Sequence, residues 1–287
     1  MDDSYIISFI NGSSGRFVKF ILYSLLTNYT EEIRITEENS AHLENFYTGG
    51  RASHLVDTEI DKKRNFDIGK SPGETIYSFL EFDSGISPEV PKIFQTHTYP
   101  EFEIIQRRLP NTKIVLINLE EDDWLEVIGN SVYKNAIALL TDRDNGIQLT
   151  EHQNNYLAWL RGAYLKVVGV DINLPFKYDI NETKKIVYYI HELWKNHKNE
   201  NITTSSFINP IADFKKYSNL TLISYKDLYT KTNDGNYIAL NKLEKMSNKI
   251  ANEQTFKNYE KYVNGRTKFI QTKMPWLTGN CAGNPNY

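Results

Sequence analysis

Five short apolar runs, at residues 5–10, 32–36, 92–95, 113–119 and 220–224, recur along the chain. They are rich in Ile, Val, Leu and Phe and mostly apolar throughout. That pattern predicts strands buried on both faces of a parallel sheet. Between them lie stretches with helical spacing at 17–26, 100–108, 122–140, 151–167, 181–197, 238–251 and 255–262. Pro100 suits a first helical turn, and the acidic residues opening 122–140 suit the positive end of a helix. Strands alternating with helices predict an α/β fold: a central, mainly parallel sheet flanked by helices. In such a sheet ligands bind at the carboxyl ends of the strands, near the point where strand order reverses.

The alternation breaks at 37–90, which holds Tyr47-Thr48-Gly49-Gly50-Arg51, the charged patch Asp61-Lys62-Lys63-Arg64 and turn signals at Ser71-Pro72-Gly73 and Ser87-Pro88. It reads as an insertion over the sheet edge, a substrate-facing lid or an irregular connection. Residues 1–277 are predicted to form one domain, and 278–287 a flexible tail suited to reaching a second copy or a virion partner.

Length and composition set limits on this picture. A chain of 287 residues with 40% hydrophobic and 24% charged residues can bury a full core. A net charge of −3 leaves no basic footprint for nucleic acid. No apolar stretch reaches the ~18 residues of a membrane span, and 1–26 does not read as a secretory signal, so the expected location is cytoplasmic, with a virion as the alternative. The single cysteine, Cys281, excludes a disulfide framework and a cysteine-based metal site within one chain. No metal is expected.

The candidate chemistry begins where the first apolar run gives way to Asn11-Gly12-Ser13-Ser14-Gly15-Arg16 before a helix. Gly12 and Gly15 permit a sharp turn and close approach to a ligand. Ser13 and Ser14 carry hydroxyl donors, the helix start presents unpaired amides, and Arg16 adds a charge-assisted clamp. These parts suit an anion. They also suit a plain turn with a serine helix cap. The Gly-Lys-Ser/Thr ending of a nucleoside-triphosphate loop is absent, which disfavours ATP or GTP hydrolysis. His97 follows the run 92–95 directly. A histidine at a strand's carboxyl end is placed to act as general base, and a structural histidine against Tyr99 is the other reading.

A fixed order emerges: the Gly/Ser loop, a strand ending Thr96-His97, the strand Lys113-Ile114-Val115-Leu116-Ile117-Asn118 feeding an acidic helix start, and Leu222-Ile223-Ser224-Tyr225-Lys226-Asp227-Leu228. This order resembles the sulfotransferase family across most of the chain. The resemblance implies a P-loop NTPase-like, sulfotransferase-like fold and the donor 3'-phosphoadenosine 5'-phosphosulfate. It places Gly12, Ser13, Ser14, Gly15 and Arg16 at the phosphosulfate, Ser131 and the Gly265-Arg266 loop at the 3'-phosphate, and His97 with Arg16 in catalysis on a hydroxyl acceptor such as a carbohydrate. Two positions depart from the family: Ser13 stands near the place of its loop lysine, and Asn118 at that of its strand-end arginine. The acidic run Glu120-Glu121-Asp122-Asp123 follows. Arg16, Lys19 and Arg51 are the replacement cations at hand. The departures also fit a sulfotransferase-fold module that has lost catalysis and serves as a structural or binding protein.

Overall fold

The computed structural model describes residues 4–10, 13–33, 92–96, 102–108, 110–133, 140, 143–146, 148–149, 151–169, 171–172, 179–196 and 217–277. The predicted insertion 37–90, His97 and the tail 278–287 lie outside these residues.

The strands are β1 (Ser4–Ser8), β2 (Lys92–Thr96), β3 (Thr112–Asn118) and β4 (Leu220–Ser224), and every described pairing between them is parallel. Their order in the sheet is β2-β1-β3-β4. Ile6, Ile7, Val115, Leu116 and Ile117 are fully buried, so consecutive residues, which point to opposite faces, are all covered. That is why these runs read as continuously apolar. The amino edge is tied by Ser4 Oγ and Thr112 Oγ1 at 2.7 Å and by Asn219 Nδ2 donating to the Thr112 carbonyl at 2.7 Å.

Helix α1 (Gly15–Thr27) follows β1 and packs against β1 and β2. Phe17, Val18, Phe20, Ile21, Leu22 and Leu25 are buried around most of its circumference, as expected of a central helix. It ends at Asn28, in the left-handed conformation at φ 51°, with the Tyr29 N–H returned to the Ser24 carbonyl at 3.0 Å. The remaining helices are α2 (Phe102–Arg108), α3 (Trp124–Val132), α4 (Glu151–Val167), α5 (Ile180–Asn196), α6 (Ile238–Ser247) and α7 (Glu253–Lys273). Helices α6 and α7 pack on α1, α6 also on β4, and α5 bridges α3 and α4.

Three expectations are corrected. Glu32 and Ile33, the described part of the run 32–36, are not in a strand. Asn258 of α7 accepts the Ile33 N–H at 3.0 Å and donates to the Glu31 carbonyl at 2.9 Å, drawing this segment onto a helix instead of the sheet. The helix predicted at 122–140 is a 3-10 turn (Glu121–Asp123) leading into α3, and residues 134–139 lie outside the description. The last helix runs to Lys273 instead of stopping at 262, so Gly265 and Arg266 stand inside α7 and not in a loop. Among the described residues no helix is long and apolar enough to cross a membrane.

Candidate functional site

The connection from β1 leads to β2 on one side, while β3, its other neighbour, leads on to β4. The carboxyl ends of β1 and β3 therefore flank the switch point of the sheet, where this class of fold binds ligands. Four elements converge there: the segment entering α1, the start of α3, the turn after β4 and the middle of α7.

The segment between β1 and α1 is held by its own side chains. Ser13 is fully buried, and both its N–H and its hydroxyl donate to the Ile10 carbonyl, at 3.0 and 2.6 Å. Ser14 precedes α1 in the left-handed region, φ 64°, a conformation that costs a non-glycine residue of order 1 kcal/mol. Tertiary bonds hold it. Tyr262 donates to Ser14 Oγ at 2.7 Å, and Ser14 Oγ and the Tyr229 hydroxyl share a further bond at 2.7 Å. Thus neither serine hydroxyl faces outward in this state. Gly15 is buried because the Phe9 ring lies against it: a Cβ there would come within 2.0 Å of Phe9 Cγ. Arg16 stands exposed in the first turn of α1, and Lys19 is buried one turn further on. Arg51, Gly12 and His97 lie outside the described residues.

Beside this segment lies a buried polar cluster. Arg266 of α7 and Glu126 of α3 form an ion pair, with side-chain exposures of 7% and 5%. Tyr225, first residue after β4, joins both: its hydroxyl donates to Glu126 Oε1 at 2.8 Å and accepts from Arg266 Nη2 at 2.9 Å and from Asn130 Nδ2 at 3.2 Å. The Arg266 guanidinium lies 3.4 Å from the centre of the Tyr229 ring, a cation–π contact that fixes its plane. Tyr229, already bonded to Ser14, thereby links the entry to α1 with the cluster. Burial pushes the Tyr225 and Tyr229 hydroxyls well above the ordinary tyrosine range, so both stay protonated and neutral. Asn118, at the end of β3 and paired in register with Ser224, carries a buried Oδ1 that has no hydrogen-bond partner among the described residues.

The acidic run after β3 builds a helix start. Glu120 and Asp123 form a reciprocal capping box, with Asp123 Oδ2 accepting the Glu120 N–H at 2.8 Å, and Lys226 Nζ meets Glu120 Oε2 at 2.5 Å. Burial raises the Asp123 carboxyl above its ordinary range. A carboxyl raised in this way binds more protons when folded. It adds stability below its unfolded value and loses it as pH rises through the folded value. Asp123→Asn keeps an acceptor oxygen and removes the titration. Its stability, measured by urea unfolding at stepped pH, is expected to fall less than that of the wild type above about pH 4; equal slopes would count against the assignment.

Of the residues expected at the site, the fold brings Ser13, Ser14, Gly15 and Arg16 to the switch point, and Arg266 to the adjoining cluster. Gly265 sits next to Arg266 within α7. Ser131 is half-buried on α3, one residue beyond Asn130. Glu126, Asn130, Tyr229 and Tyr262 are additions that sequence reading missed. Glu126 carries a signal in its setting, a carboxylate inside Trp124-Leu125-Glu126-Val127-Ile128. Towards the amino-terminal ends of β3 and β4 a separate groove of about 660 Å³ is lined by Lys113, Lys242 and Lys245, among others. Comparison with protein-family models, curated proteins and solved structures finds no match.

Proposed function

We propose that the chain is a sulfotransferase-like transferase with a P-loop NTPase-like layout. It moves a sulfuryl group from 3'-phosphoadenosine 5'-phosphosulfate to a hydroxyl acceptor of carbohydrate type. The observation that carries this reading is the sheet order: the loop-bearing strand β1 lies between β3 and the strand that leads directly into His97, with a helix amino terminus at the switch point. In this reading the acceptor oxygen attacks sulfur, the bond from sulfur to the bridging phosphate oxygen breaks, and the adenosine bisphosphate leaves with the negative charge. His97 takes the acceptor proton. The amides entering α1, Ser14 and Arg16 stabilise charge on the donor without reorganisation, as preorganised dipoles do. Ser14 turns from its tyrosine partners to do so.

A second reading, a non-catalytic binding module, is favoured by the bonds that already hold both loop serines. One experiment separates the two. Adenosine 3',5'-bisphosphate and the phosphosulfate donor are expected to raise the melting temperature, and ATP much less, by mass action on the folded state. His97→Ala is expected to abolish transfer while that shift survives. Full turnover in His97→Ala removes the catalytic assignment, and no shift with any nucleotide leaves the module.

A further inference from the structure

We propose that Glu126 is a built-in occupant of an anion site, and that an external oxoanion, a phosphate or sulfate group, binds Arg266 by displacing the Glu126 carboxylate. This rests on reading the switch point as an anion site, and adds to it how the site is closed when empty. Three observations carry it.

First, the frame of groups bonded to Glu126 is made of donors, with the Asp123 carboxyl acting on Arg266 and Tyr225 from nearby. The Arg266 guanidinium and the Tyr225 hydroxyl both meet its carboxylate, and Asn130 Nδ2 steadies that hydroxyl from behind. A planar guanidinium recognises carboxylate, phosphate and sulfate by the same forked geometry. Second, the frame is rigid before any ligand arrives. Tyr229 stacks on the guanidinium, its own hydroxyl is bonded to Ser14, and Ser14 is bonded to Tyr262. Third, its position is that of a ligand site. Tyr225 follows β4 directly, beside the end of β3, and Tyr229 ties the frame to the entry of α1.

Packing alone does not call for this pair. A buried ion pair is commonly matched in stability by apolar residues of similar size. A buried arginine kept for an external anion, however, needs a counter-charge while the site is empty. Glu126 supplies it from the neighbouring helix. On displacement the Glu126 side chain swings out, and the incoming oxygens take its bonds from Arg266 and Tyr225. No covalent bond changes.

The test compares wild type, Glu126→Gln and Glu126→Gln/Arg266→Gln, titrated with sodium pyrophosphate and, separately, sodium sulfate against chloride of equal ionic strength. Calorimetry and thermal shift give the affinities. Glu126→Gln leaves the donors in place without a competing charge. It is expected to bind pyrophosphate or sulfate at least about tenfold more tightly than wild type, with the gain lost in the double variant. Should Glu126→Gln be unfolded in chloride, recovery of its native circular dichroism by pyrophosphate supports the proposal. Equal affinity of wild type and Glu126→Gln, a gain that survives in the double variant, or no recovery overturns it. The outcome is separable from the fate of the transferase. A pyrophosphate gain through Arg266 with no response to adenosine nucleotides keeps the displaced carboxylate and removes the donor. A nucleotide shift equal in wild type and Glu126→Gln, with no pyrophosphate gain, does the reverse.

Discussion

Arg266→Met is expected to lower the stability of the chain by about 3–5 kcal/mol, because it leaves Glu126 buried without its counter-charge. Urea unfolding measures this directly, and the melting temperature is expected to drop by roughly 10 °C for a domain of this size. The guanidinium also stacks on Tyr229 and donates to Tyr225, so the single change strips the cluster of its centre. The double variant Glu126→Leu/Arg266→Met isolates the cause. With both charges gone the Tyr225 hydroxyl keeps Asn130 as its partner, and most of the lost stability is expected to return, so that the coupling between the two positions exceeds about 2 kcal/mol. A single-variant loss below about 1 kcal/mol would mean that water reaches Glu126 and that the pair behaves as a surface bridge.

The two central strands were legible because β1 and β3 are covered on both faces, which writes burial into a nearly uninterrupted apolar run. The ends of β2, β3 and β4 fall within a residue of expectation. The run expected as a strand at 32–36 alternates instead, as Glu32-Ile33-Arg34-Ile35-Thr36, and its described residues Glu32 and Ile33 lie outside the sheet. What decides it is the Asn258 side chain, more than two hundred residues away, which no local pattern reports.

Arg266 was picked out by likeness to a family loop, yet its placement has a different cause. Tyr259, Tyr262, Val263, Arg266, Phe269 and Ile270 repeat at helical spacing, and all are buried, so Arg266 falls on the apolar stripe of α7. Asn264-Gly265 reads locally as a stop signal. Packing of the stripe overrides it and carries the helix through. A cation on an apolar stripe demands an anion opposite, and Glu126, set among Trp124, Val127 and Ile128, is the matching irregularity in α3. The two irregularities could have been paired from sequence. Which donors surround them depends on Tyr225 and Tyr229 turning inward after β4, and that is a tertiary fact.

Gly15→Ala is expected to destabilise the chain by about 1–3 kcal/mol through overpacking. The apparent reason for a glycine in this loop was access for a ligand. The geometry supplies another: an alanine Cβ at 15 would stand 2.0, 2.1 and 2.3 Å from three carbons of the Phe9 ring. Ring carbons do not yield as a flexible chain end does. Phe9 is itself buried, at 1% exposure, and leads out of β1, so it cannot retreat without moving the strand end or the first turn of α1. The clash is therefore local and testable by relief. Phe9→Leu alone loses apolar contact, but Phe9→Leu/Gly15→Ala is expected to be more stable than the sum of the two single losses, by about 0.5–3 kcal/mol. Additive losses would place the cost in the backbone instead of the ring. The same pair bears on the anion site. If Phe9 alone requires the glycine, the relieved double variant responds to adenosine 3',5'-bisphosphate as the wild type does. If the ligand also approaches the backbone at 15, the thermal shift is lost even though the fold has recovered.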